Sequence, residues 1–158
     1  MQIVQKVGVG KKGRVMCNDE VSYDADRLPS RDETRTLYDS VGWAAYTEDL
    51  DALIRGLENS AVVVTARSGG KLIGLARIVS DRATIAYLQD VLVHPSFRRR
   101  GIATALVNRA FAPFSRVRQH VLLTDAEPGQ RAFYESIGFT EIRDLPGQGC
   151  RSFVRFNS

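Results

Sequence analysis

Cysteine and long apolar runs are scarce in this chain of 158 residues. The two cysteines, Cys17 and Cys150, are too few for a disulfide scaffold, and such usage is typical of a reduced, cytoplasmic protein. No apolar run approaches the roughly 18 residues that a membrane-spanning helix needs. The first residues also lack the apolar core of a signal peptide. These absences predict a cytoplasmic protein with no membrane partner.

Clusters of metal-ligating residues are also missing. His94 and His120 are the only histidines, and each stands alone in the sequence, without the spacing of a metal site. Neither cysteine has a histidine or another base nearby in sequence, which argues against a nucleophilic cysteine. The sequence therefore predicts no metal site and no thiol chemistry.

Charge is plentiful but unevenly distributed. The net charge of +4 combines an acidic block, in which residues 19–51 hold ten acids against three bases, with a basic remainder. Residues 52–158 hold fifteen bases against eight acids. This asymmetry indicates two surfaces that face different ligands, although the acids could equally serve only to solvate two helices.

The pattern of apolar residues predicts one α/β domain with a mixed sheet. Ser30 and Glu33 form a capping-box pattern, which predicts a helix that runs to about Ser40, and Thr47 is a second candidate N-cap. Residues 1–22 are predicted to form a strand–turn–strand unit, and further helices are predicted at 47–58, 102–112 and 127–137. Strands are predicted at 61–66, 71–79, 83–93, 119–124, 139–142 and 150–156. The first three of these strands are predicted to form an antiparallel meander.

A basic loop links a predicted strand to a predicted helix in the segment Arg98-Arg99-Arg100-Gly101-Ile102-Ala103. A helix N-terminus presents free N–H groups and the positive end of the helix dipole. Gly101 and Ala103 lack bulk, so a phosphate could approach the backbone closely. The segment thus predicts a site for a diphosphate-bearing ligand. A solvated basic loop and a nucleic-acid contact are the alternatives.

The same six residues fit the pattern R/Q-x-x-G-x-G/A and resemble the acyl-CoA pyrophosphate loop of the GCN5-related N-acetyltransferase (GNAT) superfamily. Residues 88–95 (LQDVLVHP) resemble the central strand of that family, and residues 131–139 (RAFYESIGF) resemble its late helix and turn. The resemblance implies a mixed, mostly antiparallel central sheet flanked by helices, with a splayed parallel strand pair. It also implies a single acetyltransferase domain, in which residues 1–22 are an extension, 23–58 the acceptor-side helices and 60–158 the acetyl-CoA-binding core.

The activity implied by the resemblance is direct transfer of an acetyl group from acetyl-CoA, as co-substrate, to an amine. Tyr134 stands where the family places a general acid for the departing thiolate; packing in the core is its alternative role. Asp90 is the only carboxylate on the central strand and is the candidate base, directly or through water; capping a loop is its alternative role. The implied acetyl-CoA-binding residues, through backbone groups or positive charge, are Leu92, Val93, Arg98, Arg99, Arg100, Gly101, Ile102, Ala103 and Thr104.

The acceptor remains the open part of this interpretation. The residues of its candidate pocket are Tyr38, Trp43, Tyr46 and Gln89, although the three aromatic residues could instead only pack the first two helices on the sheet. The acidic block would attract a cationic amine to it. A non-catalytic acyl-CoA sensor and a nucleic-acid-binding domain are the competing hypotheses, the acidic block arguing against nucleic acid. A homodimer stays open, since relatives often pair through sheet edges.

Overall fold

The computed structural model describes residues 20–147 and 149–156. Five strands form one sheet in the order β1-β2-β3-β4-β5. The strands are β1 (Val21–Asp24), β2 (Val62–Ser68), β3 (Lys71–Ser80), β4 (Ile85–Val93) and β5 (Gln119–Leu122), and the helices are α1 (Arg31–Ser40), α2 (Ala44–Thr47), α3 (Leu50–Glu58), α4 (Ile102–Phe111) and α5 (Pro128–Ser136). The predicted strand–turn–strand unit in residues 1–22 lies almost wholly outside the described residues.

Neighbouring strands pair antiparallel from β1 to β4, whereas β4 and β5 pair in parallel. Short turns link β2 to β3 and β3 to β4, whereas α1, α2 and α3 lie between β1 and β2. The parallel link from β4 to β5 needs a crossover, which α4 supplies. The predicted mixed and mostly antiparallel sheet, including its antiparallel meander, is therefore confirmed.

Each face of the sheet carries its own apolar core. Alternate residues of β2 to β4, such as Val64 and Ile78, face α4 and α5, while Val63 and Leu75 face α1 and α3. Gly74 permits the close approach of α4, because a Cβ there would lie 3.0 Å from Leu106 Cδ1 and 3.2 Å from the carbonyl oxygen of Leu92. Helix α1, within the acidic block, and α3, which begins at its end, consequently lie on the opposite face of the sheet from α4, which follows the basic loop.

The first helix begins as its sequence predicts. The Ser30 side chain accepts from the Glu33 N–H, and the Glu33 carboxylate accepts from the Ser30 N–H, which completes the capping box. The same carboxylate forms an ion pair with Arg67 on β2. Glu33 therefore both starts α1 and fastens it to the sheet.

The helix predicted over residues 47–58 is present as α3 but begins only at Leu50, so Thr47 as its N-cap is wrong. Thr47 ends α2, with its hydroxyl bonded to the carbonyl oxygen of Ala44 and to Asp39 Oδ1. Asp49 is the N-cap of a separate helix, α3, because its carboxylate accepts from the N–H of Ala52. These local hydrogen bonds end α2 at Thr47 and begin α3 after Asp49.

The strands predicted at 139–142 and 150–156 are also absent from the described residues. A 3₁₀ turn, Ile142–Asp144, follows α5, and Arg131 holds it through ion pairs with Glu141 and Asp144. Residues 150–156 have no regular structure.

The ion pair between Glu33 and Arg67 generates a prediction about acid stability. Arg67 and the Ser30 N–H bind the Glu33 carboxylate and lower its pKa from 4.5 to about 2. Because the pKa is lower in the folded state, this stabilisation is present above about pH 4.5 and is lost as the pH falls towards 2. We expect Glu33→Gln to lower stability at neutral pH and to flatten its decline between pH 5 and 2, measured by urea unfolding.

The matched control for this experiment is Glu48→Gln, which removes an exposed carboxylate that has no ion-pair partner among the described residues. Its stability should follow the wild-type pH profile. An unchanged profile for Glu33→Gln as well would contradict the assignment.

Candidate functional site

The parallel strand pair opens partway along its length. The β4–β5 ladder runs from Ile85 opposite Gln119 to Leu88 opposite Leu122, where β5 ends. Strand β4 continues to Val93 and remains paired with β3 alone. Among the described residues, 89–93 therefore have no partner strand on one side of β4, and the gap beside them is called the cleft below.

Strand alternation decides which backbone groups face this cleft. The N–H of His94 donates to the carbonyl oxygen of Ile73 on β3. Because backbone groups alternate along a strand, the N–H and C=O of Leu92 also face β3, and those of Val93 face the opposite side. The carbonyl oxygen of Val93 lies 3.5 Å from Arg98 Nε. Of the two residues predicted to hold a ligand through their backbone, Val93 thus faces the open edge, while Leu92 is paired with β3 and packs beneath it.

The predicted basic loop follows directly and has an unusual backbone. Arg99 and Gly101 adopt positive φ angles of 63° and 75°, and Gly101 is the N-cap of α4. Where left-handed and right-handed backbone conformations stand side by side, successive N–H groups point towards one centre. The concavity that they form suits an anion. Ile102 is buried and anchors α4, whereas Ala103 and Thr104 are half-buried.

Positive charge surrounds this concavity without an internal counter-charge. Arg98, Arg99 and Arg100 are exposed, and none of them forms an ion pair with another described residue. The Arg100 guanidinium lies over the Phe97 ring, 5.2 Å from its centroid. Free N–H groups and unneutralised guanidinium groups are what a diphosphate needs, so the residues present fit the pyrophosphate of a CoA molecule.

Tyr134 lies on α5, in the same buried cluster as Leu88 and Val93. Its ring packs edge-on against Phe133 and Phe139, at centroid distances of 5.0 and 6.0 Å. Burial, together with the negative charge of Asp125, raises the pKa of Tyr134 to about 12. The phenol therefore keeps its proton at neutral pH.

A β-bulge marks the start of the open part of β4. Asp90 is paired with Arg77 and Leu88 with Ile78, so Gln89 is an extra residue without a partner on β3. The bulge reverses the alternation of side chains, and Asp90 and Leu92 consequently face α1 and α3 instead of α4. Gln89 is half-buried, and its Nε2 lies 3.4 Å from the Tyr46 hydroxyl.

Asp90 is held in a buried polar network. Its Oδ2 accepts from Nε of Arg77 and, at 2.9 Å, from the hydroxyl of Tyr38, while its Oδ1 has no partner among the described residues. Arg77 Nη1 reaches on to the carbonyl oxygen of Gly56 and to Ser60 Oγ, at 3.3 and 3.4 Å. Burial and the Asp90 charge raise the pKa of Tyr38 far above its usual range.

The three aromatic residues predicted for the acceptor pocket do form one cluster. Their ring centroids lie 5.6 to 5.9 Å apart, with Trp43 stacked on Tyr46. Tyr38 is fully buried and supports the other two, which are only half-buried. Burial and the nearby Asp90 raise the pKa of Tyr46. Trp43, Tyr46 and Gln89 are therefore the members of this set that an acceptor could touch.

Sequence reasoning missed Arg77, the partner of Asp90. Its signal was a single arginine inside the apolar run KLIGLARIV of β3. A buried charge needs a counter-charge, so Arg77 pointed to a carboxylate on the adjacent strand.

Within residues 20–147 and 149–156 no group of metal-ligating side chains is present. The same residues include no helix with the length and apolar character needed to cross a membrane.

Comparisons with known proteins agree with this geometry. The family model for an acetyltransferase (GNAT) domain matches residues 58–141. The chain is 29% identical over 119 residues to ycf52 of Pyropia yezoensis, an uncharacterized N-acetyltransferase. The match includes 73% of this chain and 66% of that protein, which is slightly less than two thirds of its length. GNAT family protein SP0256 from Streptococcus pneumoniae TIGR4 is 27% identical and superposes with a TM-score of 0.76, over 87% of this chain and 98% of that one.

A third likeness concerns the fold alone. Aminoglycoside N-acetyltransferase AAC(6')-Iy, solved in complex with CoA, is 19% identical, with a TM-score of 0.65 over 87% of this chain and 95% of that one. Since the family model matches more than half of the residues, the chain belongs to the GNAT acetyltransferase family. Acetyl-CoA as co-substrate fits this membership, and the resemblance predicted from the sequence is confirmed.

The buried ion pair generates a prediction about stability. Replacing Asp90 by Asn leaves the Arg77 guanidinium buried without its counter-charge, which costs about 3 to 5 kcal/mol of unfolding free energy. We expect this loss in chemical denaturation. The control is Asp51→Asn, because the ion pair between Asp51 and Arg31 is exposed and should contribute less than about 1 kcal/mol. Equal losses for both variants would contradict the assignment.

Proposed function

We propose that this protein transfers an acetyl group from acetyl-CoA directly to a primary amine. The observation that supports this most is the cleft between β4 and β5, which opens beside a concave, positively charged loop. Acetyl-CoA supplies a thioester whose carbonyl carbon forms a bond to the amine nitrogen as the bond to sulfur breaks. The residues of this chain must bind the donor, orient the acceptor and manage two protons.

The loop at residues 98–104 binds the pyrophosphate in this proposal. The N–H groups of Arg99 to Thr104 wrap around the phosphates, and the three arginines add positive charge. The backbone of Val93 faces the cleft and is placed to hydrogen-bond the pantetheine arm. Leu92 contributes by packing below the strand, because its own backbone groups are paired with β3.

Tyr134 is the proposed general acid. A thiol has a pKa near 8.5, so Tyr134, with a pKa of about 12, is fully protonated at neutral pH but is a weaker acid than the thiol. Its hydroxyl therefore acts by donating a hydrogen bond to the sulfur as negative charge builds there, and the thiolate completes its protonation as Tyr134 regains a proton from solvent. Its buried position excludes bulk water from the hydroxyl, which strengthens a hydrogen bond to the sulfur.

The attacking amine must lose a proton, and Asp90 is the proposed destination through water. Its side chain is fully buried, which excludes direct contact with a bulky acceptor. The unpartnered Oδ1 can accept from a water molecule near Gln89 and Tyr46. Asp90 in this role orients the water and receives the proton through it.

The acceptor is proposed to be a cationic amine that contacts Trp43, Tyr46 and Gln89. Aromatic faces attract ammonium groups, and the α1–α3 region that carries these rings is acidic. This set of groups does not distinguish a small amine from a peptide amine.

An acyl-CoA sensor that transfers nothing is the second candidate function. It is favoured by one observation, namely that the open part of β4 carries the uncharged Gln89 while its only carboxylate is buried in an ion pair. A panel of amines assayed for release of free CoA separates the two. Release with at least one amine supports the enzyme, whereas tight CoA binding without release supports the sensor.

Tyr134→Phe tests the general acid. We expect kcat to fall roughly 100-fold, because positioned proton donors contribute about that much or more, while CoA affinity changes little. Steady-state CoA release measures kcat, and calorimetry measures affinity. Tyr23→Phe, on the distant strand β1, is the control and should keep the wild-type rate. A fully active Tyr134→Phe protein would sink the assignment.

Gly101→Ala tests the loop. At a φ of 75° a side chain adds ~1 kcal/mol or more of backbone strain. The loop of the free variant relaxes to relieve this strain, and CoA binding must restore it, so CoA affinity should fall about fivefold. Gly129→Ala is the matched control, since Gly129 also has open space around it but has no positive φ. Calorimetric titration with CoA measures both. Similar affinities for the two variants would speak against the loop as the pyrophosphate site.

A further inference from the structure

We propose that Arg131 is a positioning residue that holds helix α5, and with it Tyr134, in place for acetyl transfer. The inference rests on the proposed function, because it concerns the proposed general acid. It is carried by the sparse attachment of α5 to the rest of the fold and by the three carboxylates that Arg131 binds.

Helix α5 has few other means of attachment. Among its described residues only Tyr134 is buried. No described side chain caps its N-terminus, and residues 123–127, which lead into it, are exposed and lie outside the helices and strands. A helix of this length is marginal on its own in water, so its position depends on contacts with other parts of the chain.

Aromatic contacts support the C-terminal half of α5. The ring of Tyr134 packs against that of Phe139, and the N–H of Phe139 donates to the carbonyl oxygen of Tyr134 at 3.1 Å. The chain reverses between these two residues at Gly138, whose φ is 95°. These contacts lie in the second half of α5 or beyond it, so the first half needs another support.

Arg131 supplies that support, because each nitrogen of its guanidinium binds a different carboxylate. Nε lies 2.8 Å from Glu135 Oε1, Nη1 lies 2.7 Å from Glu141 Oε2, and Nη2 lies 2.5 Å from Asp144 Oδ2. Glu141 and Asp144 belong to the chain that follows the helix. The guanidinium therefore ties the first half of α5 to the turn beyond its end and closes residues 131–144 into one unit.

The geometry of this network matters more than its charge. A lone exposed ion pair contributes little to stability, whereas a planar guanidinium that binds several carboxylates fixes direction as well as distance. All three partners belong to this chain and engage the whole guanidinium of Arg131. Its effect on the reaction consequently passes through α5 and not through a substrate.

The effect on Tyr134 follows from its spacing along the helix. Arg131 and Tyr134 are three residues apart, less than one helical turn, so a tilt of α5 that moves one of them moves the other. A general acid must lie within about 3 Å of the atom that it serves, and a displacement of ~1 Å can cost about 100-fold in rate. Loss of the Arg131 network should therefore lower kcat.

Arg131→Ala tests the proposal, and Arg143→Ala is its matched control. Arg143 is also exposed and also binds Glu141, but none of its described bonds reaches α5. We expect kcat for CoA release to fall about tenfold in Arg131→Ala, with CoA affinity within about twofold of wild type, because only the acid is displaced. Arg131→Lys, which keeps the charge but not the planar fork, should recover part of the rate. Arg143→Ala should keep the wild-type kcat.

A double variant asks whether Arg131 acts through Tyr134. In the Tyr134→Phe background, Arg131→Ala should lower kcat by less than about twofold, because the group that Arg131 positions is already absent. A further tenfold fall in that background would overturn the proposal. A wild-type kcat for Arg131→Ala, or an equal loss in Arg143→Ala, would overturn it as well.

Hydrogen exchange separates a failure of this proposal from a failure of the proposed function, since it needs no activity. The amides of residues 132–136 should exchange at least about fivefold faster in Arg131→Ala than in the wild-type protein or Arg143→Ala. Unchanged exchange would overturn the role of Arg131. Faster exchange in a protein that releases CoA with no amine would support the hold of Arg131 on α5 and count against acetyl transfer instead.

Discussion

Two opposite charges inside an apolar core can be tolerated only as a pair, and the pair of Arg77 and Asp90 organises one whole side of this sheet. Tyr38 binds the same carboxylate from α1, and Arg77 reaches Gly56 at the end of α3. Helices α1 and α3 are thus tied to β3 and β4 through one polar network. The Gln89 bulge is what turns Asp90 towards that network.

The cleft arises from a difference in strand length. Strand β5 ends at Leu122, while β4 continues to Val93 and then enters the basic loop. The unpaired side of β4, the left-handed residues of the loop and the start of α4 are therefore consecutive in the chain. A ligand with a long arm and a charged diphosphate can contact all three without any movement of distant elements.

Much of this arrangement could be predicted from local patterns. The capping box at Ser30, the apolar runs of β2 to β4 and the loop beginning at Arg98 depend on neighbouring residues, so a sequence pattern reports them. The break at Asp49 was missed because Thr47 and Asp49 are both good caps, and the choice depended on the bond from Thr47 to Asp39. The C-terminal strands were overpredicted because strand propensity cannot provide a partner strand.

The sequence by itself determined the family, the sheet with its helices and the loop that fits a diphosphate, since each is encoded over a few consecutive residues. Only the tertiary structure decided that Asp90 is buried against Arg77, that Val93 and not Leu92 faces the cleft, and that Tyr38 lies beneath Trp43 and Tyr46. These outcomes depend on strand register and on one bulge. Shifting the register by a single residue moves every side chain to the other face, and no local pattern determines that shift.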